Sequence, residues 1–222
     1  MSTLSFKQIT KRFGSLTAND SITLSLGDSE IMALLGENGA GKTTLMNILF
    51  GHYVADEGSI EIDGKTLPSG STEAAIEAGV GMVHQHFTLA DNLTVIENIV
   101  LGTECLWSWR HDMTAARRKL IGMSEAYSLA IEPDALVADL SVGERQRVEI
   151  MKALYRDARI LILDEPTAVL TPQETENLFI TLRSLTDKGL SVIFISHKLH
   201  EILAISDHVA VLRRGKIVGT IK

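Results

Sequence analysis

A glycine-rich stretch that ends in lysine and threonine has the residue types and the spacing to bind phosphate. Residues 36–43 read GENGAGKT, which fits the pattern G-x-x-x-x-G-K-[ST]. Glycines let backbone N–H groups approach phosphate oxygens, while Lys42 supplies a positive charge and the Thr43 hydroxyl is a ligand for Mg²⁺. A simple glycine-rich turn is the alternative, but a buried strand before the stretch and a helical pattern after it favour phosphate binding. The expected nucleotide-binding residues here are Gly36, Asn38, Gly39, Ala40, Gly41, Lys42, Thr43 and Thr44.

An acidic pair, Asp164 and Glu165, follows the apolar run 160–163. A phosphate-binding loop needs a further carboxylate for its metal, usually at the end of a neighbouring buried strand. We expect Asp164 to hold Mg²⁺ through its water shell. Glu165 points differently because side chains alternate along a strand, so it is the candidate to polarise an attacking water. Such a pair on its own often only caps a helix, but after a phosphate-binding loop it favours a catalytic site.

A second candidate anion site lies at residues 141–144, where a helical pattern begins. Ser141 and Glu144 have the S-x-x-E spacing of a capping box, which accounts for both residues structurally. Capping does not account for Gly143, which weakens a helix but opens its backbone to a ligand. Since Lys42 already serves one nucleotide, this helix terminus must face the nucleotide of another molecule or the other side of the same one.

The apolar pattern predicts an α/β fold in a single domain over residues 1–222. Alternating apolar residues at 22–26 and a short strand at 59–63 predict an antiparallel layer over residues 1–30 and 56–66. Continuous apolar runs at 31–35, 80–83, 160–163 and 192–195, separated by helical patterns, predict a parallel sheet that is covered on both faces. Residues 88–140 show no buried-strand pattern and predict a helical insertion, in which Trp107 and Trp109 are expected to pack.

Composition excludes several classes of protein. The chain has 222 residues, 45% hydrophobic and 22% charged, as expected for a globular domain. Its apolar runs are too short to cross a membrane, its single Cys105 cannot form an internal disulfide, and no secretory signal is apparent at the start. The net charge of −7 disfavours general attraction to nucleic acid, so we expect no nucleic-acid partner and a reducing, cytoplasmic compartment.

Residues 140–146, LSVGERQ, resemble the signature motif of ABC-type ATPases. The phosphate-binding loop, Gln85, the acidic pair and His197 occur around it in the order of that family, over most of the chain. The resemblance implies a P-loop NTPase (RecA-like) core, with ATP and Mg²⁺ as cofactors.

This resemblance also implies roles for individual residues. Phe13 would stack on adenine, Gln85 would touch Mg²⁺ and the attacking water, and His197 would contact the γ-phosphate. Glu165 would be the general base, and Thr43, Gln85 and Asp164 would serve the metal. In a head-to-tail dimer, ATP would lie between the phosphate-binding loop of one subunit and Ser141, Gly143 and Glu144 of the other. Sequence alone leaves a core role open for Phe13 and an ordinary loop role open for Gln85 and His197.

Some residues depart from the common family pattern. Val142 stands where glycine is usual, Glu144 where glutamine is usual, and Thr171 where aspartate usually ends the segment after Glu165. Thr171 instead begins a predicted capping box that ends at Glu174. The run AVLTPQE and the run HQHF around Gln85 resemble the ATPase subunits of bacterial importers for nucleosides and simple sugars.

That narrower resemblance implies partners and a location. We expect transmembrane permease subunits, a second ABC ATPase domain in the same chain or in a homodimer, and indirectly a solute-binding protein. The location would be peripheral, at the cytoplasmic face of the cell membrane. The end of the sequence predicts a strand, which favours the first half of a longer protein. Loop residues Phe87, Leu89 and Leu93 are candidates either for permease docking or for packing under the helical insertion.

Three alternatives stay open from sequence. A soluble ABC-type ATPase of DNA repair or translation shares the motifs, but it generally has long coiled coils or basic arms, which are absent from this sequence. A small-molecule kinase would not need residues 140–146. A nucleotide-binding module without turnover is compatible with the altered segment at Thr171.

A metal site at His84 and His86 is disfavoured because the pattern offers no third ligand.

Overall fold

A computed structural model describes residues 2–85, 87–101 and 113–221. Residues His86, Cys105, Trp107 and Trp109, on which predictions from the sequence fall, lie outside the described residues. The strands are β1 (Ser2–Phe13), β2 (Leu16–Gly27), β3 (Ile31–Leu35), β4 (Glu57–Ile62), β5 (Lys65–Thr66), β6 (Val80–Val83), β7 (Ile160–Asp164), β8 (Ser191–Ser196), β9 (His208–Arg213) and β10 (Lys216–Ile221). The helices are α1 (Lys42–Leu49), α2 (Thr72–Glu77), α3 (Val95–Val100), α4 (Met113–Tyr127), α5 (Val142–Tyr155), α6 (Pro172–Thr186) and α7 (Leu199–Ile205), with a 3₁₀ turn at Val137–Asp139.

Strands β1, β2, β4 and β5 form a four-stranded antiparallel sheet in the order β2-β1-β4-β5. This confirms the predicted antiparallel layer, and β2, which contains the 22–26 pattern, lies at an edge of the sheet. Ile22, Leu24 and Leu26 are buried while the residues between them are exposed, as one covered face requires. Strand β1 was not predicted as a strand, although it pairs with both β2 and β4.

The larger sheet has six strands in the order β10-β9-β3-β8-β7-β6. All neighbouring pairs are parallel except β10 with β9, so the prediction of a mainly parallel sheet is confirmed. Its two faces pack into different hydrophobic clusters: Ile160 and Ile162 join the cluster shared with the antiparallel sheet, α1 and α2, and Leu161 and Leu163 join the one shared with α3 to α6.

Where the structure describes residues 88–140, their regular elements are helical. These residues contain α3, α4 and the 3₁₀ turn, and the only strand-like pairing within the described part of this segment is the isolated bridge between Thr94 and Leu136. Helix α3 begins with a capping box made by Thr94 and Glu97. Apolar residues of α3 and α4 pack against α5.

Parallel strands place their carboxyl ends at one edge of a sheet, where ligands of open α/β folds bind. At this edge, β3 leads into the glycine-rich loop and α1, β7 ends at Asp164, β8 leads to His197, and β9 leads to the turn at Arg214. The fold therefore brings together motifs that are far apart in the sequence.

Candidate functional site

Close packing accounts for the glycines of the phosphate-binding loop. Gly41 has a φ of 105°, and a Cβ atom there would lie 2.2 Å from the carbonyl oxygen of Ala18. A Cβ atom at Gly36 would lie 2.5 Å from the carbonyl oxygen of Leu212. The fully buried Asn19 donates a hydrogen bond of 3.1 Å from Nδ2 to the carbonyl of Gly41. A side chain at Gly36 or Gly41 would therefore displace the neighbouring backbone that holds the loop in place.

Lys42 lies under the loop and closes it. Its side chain is buried, and Nζ donates hydrogen bonds to the carbonyl oxygens of Gly36 at 2.6 Å and Glu37 at 3.0 Å. Burial lowers the pKa of Lys42, while the carboxylates of Glu165 and Asp164 act against that shift. The amine is therefore held at the loop by two uncharged carbonyl acceptors, which an anionic phosphate can replace.

Asp164 and Thr43 offer oxygen ligands side by side. Burial raises the pKa of Asp164, and a hydrogen bond with Thr43 opposes the shift. A carboxylate and a hydroxyl at a phosphate-binding loop suit a hard cation such as Mg²⁺, which takes few protein ligands and completes its shell with water and phosphate. Within the described residues, no group of three or more His, Cys, Asp and Glu side chains could hold a metal ion. The donor set fits Mg²⁺ rather than a closed histidine and cysteine site.

Glu165 is held in an unusual backbone conformation and is paired with His197. Its φ is 49°, in the left-handed region that side chains other than glycine rarely adopt. Its N–H donates to the carbonyl of Ile195 at 3.0 Å, and its Oε1 lies 3.0 Å from Nδ1 of His197. Backbone strain of this kind clusters at functional sites. The arrangement is that of a base oriented by a second side chain.

A cavity of about 550 Å³ unites most of the predicted site residues. Phe13, Asn38, Gly39, Ala40, Gly41, Lys42, Thr43, Thr44, Gln85, Asp164 and Glu165 line it. Phe13 is 43% exposed and meets the ring of Tyr53 edge to face, with 5.6 Å between the centroids. Nζ of Lys11 lies over the ring, 5.3 Å from its centroid, and the exposed part of the ring borders the cavity.

Some lining residues were missed from the sequence. Leu16, Thr17, Ala18, Arg214 and Gly215 also line the cavity. The N–H of Gly215 donates to the carbonyl of Ala40 at 3.0 Å, which ties the β9–β10 turn to the phosphate-binding loop. The run RRGK signals a turn, but only the parallel pairing of β9 with β3 puts that turn beside the loop.

The other predicted site residues lie outside this cavity. Gly36 and His197 line an adjoining cavity of about 430 Å³ that shares Asn38 with it. Ser141 and Glu144 form the predicted capping box at the start of α5, with the Ser141 N–H donating to Glu144 Oε2 at 2.9 Å. Gly143 lines a separate small groove between α5 and α6. Within one chain, the two candidate anion sites are therefore not assembled into one pocket.

Glu174 connects Gly143 to the start of α6. It forms the predicted capping box with Thr171, whose N–H donates to Oε2 at 2.9 Å. Hydrogen bonds from the N–H and the hydroxyl of Thr171, and a weaker one from the N–H of Gly143, hold the pKa of Glu174 below its usual value. A Cβ atom at Gly143 would lie 2.9 Å from Glu174 Oε1.

The segment after Gln85 is anchored by buried polar residues that gave no signal in the sequence. Glu149 of α5 accepts hydrogen bonds at Oε1 from the N–H of Thr88 at 2.6 Å and from its hydroxyl at 2.9 Å. Asn98 of α3 bonds both backbone groups of Ala90. Phe87 is half-buried, and Leu89 packs against the cluster around α5. Packing thus accounts for Leu89, and Phe87 keeps part of its surface open.

Comparisons with known proteins agree with this geometry. A family model described as ABC transporter matches residues 19–168. The nucleoside import ATP-binding protein NupA of Lactococcus lactis is 52% identical over 214 residues, which are 96% of this chain and 42% of the relative. The ribose import ATP-binding protein RbsA 2 of Burkholderia ambifaria is 48% identical over 98% of this chain and 43% of the relative. A crystal structure of the ADP conformation of an ATP-binding cassette of an ABC transporter matches with a TM-score of 0.89 and 27% identity, over 99% of this chain and 91% of that one.

The chain spans less than half the length of these two curated relatives. In the part that the structure describes, no helix has the length and apolar character needed to cross a membrane.

Proposed function

This chain belongs to the ABC transporter family, and we propose that it binds and hydrolyses ATP to power a membrane importer for nucleosides or simple sugars. The observation that carries the proposal is the cavity at the carboxyl edge of the large sheet. It combines a phosphate-binding loop, a partly exposed aromatic ring and an acidic pair. A kinase would need an acceptor substrate at this edge, whereas Glu165 beside the loop is suited to activate water.

The residues of the cavity divide the work of hydrolysis. Phe13 stacks on the adenine, and the backbone N–H groups of the loop with Lys42 hold the β- and γ-phosphates. Glu165 accepts a proton from the attacking water, and His197 orients its carboxylate through the contact of 3.0 Å. Gln85 at the rim contacts the attacking water. The oxygen of the attacking water forms a bond to Pγ as the bond between Pγ and the bridging oxygen breaks. ADP leaves with that bridging oxygen, and a proton of the water passes to Glu165.

Thr43 and Asp164, with Gln85, are the residues that would hold Mg²⁺. When bound, the ion neutralises phosphate charge. Asp164 is buried, and among the described residues it forms no salt bridge. Binding of a cation would therefore relieve the cost of burying its carboxylate.

A second ATPase domain completes the site in this proposal. Ser141, Gly143 and Glu144 lie at the N-terminus of the long helix α5, away from the cavity of their own chain. A head-to-tail partner, either in the same longer chain or in a second copy, would place this terminus over the γ-phosphate held by Lys42. Transmembrane permease subunits, and through them a solute-binding protein, would be the further partners, which sets the location at the cytoplasmic face of the membrane.

Two variants test the chemistry. Lys42→Ala loses a charged donor to phosphate, so ATP affinity should fall about 10- to 100-fold and hydrolysis should cease. Glu165→Gln keeps the shape of the base but cannot accept a proton, so ATP binding should persist with turnover lost. Titration calorimetry and phosphate release measure both, and Lys65→Ala on the exposed strand β5 is the control. Parental hydrolysis by Lys42→Ala would refute the binding site, and parental hydrolysis by Glu165→Gln would place the base elsewhere.

Transport needs a separate test. The protein with its permease subunits, reconstituted in vesicles, should take up labelled nucleosides or ribose only when ATP and Mg²⁺ are on the side of this subunit. Uptake without ATP, or ATP hydrolysis that no solute stimulates, would contradict the importer role. Sedimentation of Glu165→Gln with and without Mg-ATP tests the proposed association of ATPase domains.

A further inference from the structure

A buried carboxylate outside the predicted site, Glu201, contacts residues of two loops. Glu201 lies in the first turn of α7 and is 3% exposed. Its Oε2 accepts hydrogen bonds from the hydroxyls of Thr167 at 2.6 Å and Ser196 at 3.0 Å. Its Oε1 accepts one of 2.9 Å from Nζ of Lys198. Both oxygens of this side chain are therefore used.

The partners of Glu201 flank the Glu165–His197 pair. Thr167 follows Glu165 by two residues, while Ser196 and Lys198 stand directly before and after His197. Nζ of Lys198 also lies 3.4 Å from the carbonyl of Thr167. One carboxylate thus joins the loop after β7 to the loop after β8, and these are the loops that carry the base and its partner.

The two loops need such a connection. The left-handed conformation of Glu165 is unfavourable for a residue with a side chain and persists only where the surroundings fix it. From one side, Gln146 donates a hydrogen bond of 3.0 Å to the carbonyl of Pro166. From the other, Thr167 and Ser196 are both almost fully buried and are bridged by Glu201.

Glu201 remains a carboxylate in this environment. Burial disfavours its charge, but hydrogen bonds from Thr167, Lys198 and Ser196 outweigh burial and keep its pKa below the usual value. A protonated or amide side chain in its place would accept fewer of these bonds and would lose the ion pair with Lys198.

We infer that Glu201 is a positioning residue for ATP hydrolysis, which holds Glu165 and His197 at their hydrogen-bonded separation by bridging Thr167, Ser196 and Lys198. The inference rests on the proposed function, because it concerns the same reacting site. Glu201 itself touches neither the cavity nor the proposed base. It acts on turnover only through the two loops.

The test is steady-state ATP hydrolysis by the Glu201→Gln protein, with ATP affinity measured by calorimetry and Tm by thermal unfolding. A small displacement of a catalytic group is costly, so kcat should fall about 10- to 100-fold while the Kd and KM for ATP stay within about twofold. Glu125→Gln, an exposed change of the same type on α4, should match the parent. A merely structural role would lower Tm and ATP affinity together with kcat.

A second pair of variants protects the test against misfolding. Thr167→Val removes one hydroxyl and keeps the shape, so kcat should fall while ATP affinity is retained. Thr167→Ser keeps the hydroxyl, so its kcat should stay near that of the parent. Unchanged kcat in Glu201→Gln and Thr167→Val would overturn the inference while the parent still hydrolyses ATP. A parent protein that neither binds nor hydrolyses ATP would overturn the proposed function itself, and the inference with it.

Discussion

Gly143→Ala separates the two explanations of the start of α5, a helix cap and a nucleotide contact. Gly143 is the second residue of α5, and its φ is not in the left-handed region. Its N–H is one of the donors at a helix start that no helical carbonyl can accept. The capping box of Ser141 and Glu144 does not need glycine at this position. If only the cap matters, alanine should be tolerated.

The expected change in stability is small. Alanine is favoured over glycine in a helix by about 0.8–1 kcal/mol. Against this, the new Cβ atom would lie 2.9 Å from Oε1 of Glu174, the end of a flexible side chain that must shift. The carboxylate of Glu174 is accessible to solvent, so the loss of its weak bond to the Gly143 N–H offsets only part of this gain. The net free energy of unfolding should change by less than about 1 kcal/mol, so Tm should move by at most about 4 °C.

The expected change in hydrolysis is large. A Cβ atom beside the N–H keeps a partner's γ-phosphate away from the helix terminus, and losing one such donor typically lowers kcat about 100- to 1,000-fold. Phosphate release at several protein concentrations, together with thermal unfolding, measures both quantities. Gly122→Ala is the control, because a Cβ atom at Gly122 in α4 has no neighbour within 4 Å. It should raise Tm by about 2–4 °C and leave hydrolysis unchanged.

Parental hydrolysis by Gly143→Ala, with the same dependence on protein concentration, would refute the nucleotide contact and leave the cap as the full explanation. A fall in Tm far beyond the calculated range would also refute the reasoning, since it would make Gly143 a requirement of the fold.

Three further predictions concern other parts of the molecule. Burial raises the pKa of Asp164, so as pH rises the unfolded chain loses this proton before the folded chain does, and the stability of the fold decreases between the two pKa values. Asp164→Asn should therefore raise Tm at neutral pH, while Mg²⁺-dependent hydrolysis is lost. A lower Tm would contradict this. Thr171→Ala removes the cap of α6, so Tm should fall by about 2–4 °C with ATP affinity unchanged in calorimetry, and weaker ATP binding would show that Thr171 serves the site. Phe87→Asp should leave ATP binding near the parental value but abolish stimulation of hydrolysis by the permease. Lost ATP binding would place Phe87 in the core. Normal transport would show that Phe87 does not couple the permease to hydrolysis.

The sequence predicted the elements whose pattern is local. Continuous apolar runs at β3, β6, β7 and β8 predicted strands that are covered on both faces. In the structure, residues of each of these strands are divided between the two hydrophobic clusters, one on each face. Both predicted capping boxes, at Ser141 and Thr171, are present. These predictions held because the responsible interactions lie within a few residues of each other.

Strand β1 was missed because its alternation is broken. Leu4 and Phe6 face the core, but the next buried apolar residue is Ile9, which shifts the period by one. At this point the pairing with β2 changes register, and Gln8 has a φ of 53°. A β-bulge of this kind places two residues opposite one and hides the period of two.

Other residues were missed because only the tertiary fold gives them a role. Arg214 and Gly215 reach the cavity through the pairing of β9 with β3, far away in the sequence. Glu149 and Glu201 look like ordinary charged residues of helices, yet they are buried and hold loop groups from other parts of the chain. A helix pattern contains no information about which distant N–H or hydroxyl its carboxylates will meet.

Helix α5 links the two halves of the proposed chemistry. Near its start, Gln146 donates to the carbonyl of Pro166, next to Glu165, and one turn further on Glu149 accepts from Thr88, close after Gln85. The side chains of Gln146 and Glu149 are both buried, so breaking these bonds would leave a buried polar group without a partner, which is costly in a protein interior. If binding of a nucleotide at its N-terminus displaces α5, that displacement must therefore be transmitted to both loops together. Since one loop carries the proposed base and the other contains the half-buried Phe87, the helix provides a physical connection between the proposed reacting site and the surface where we expect a permease to dock.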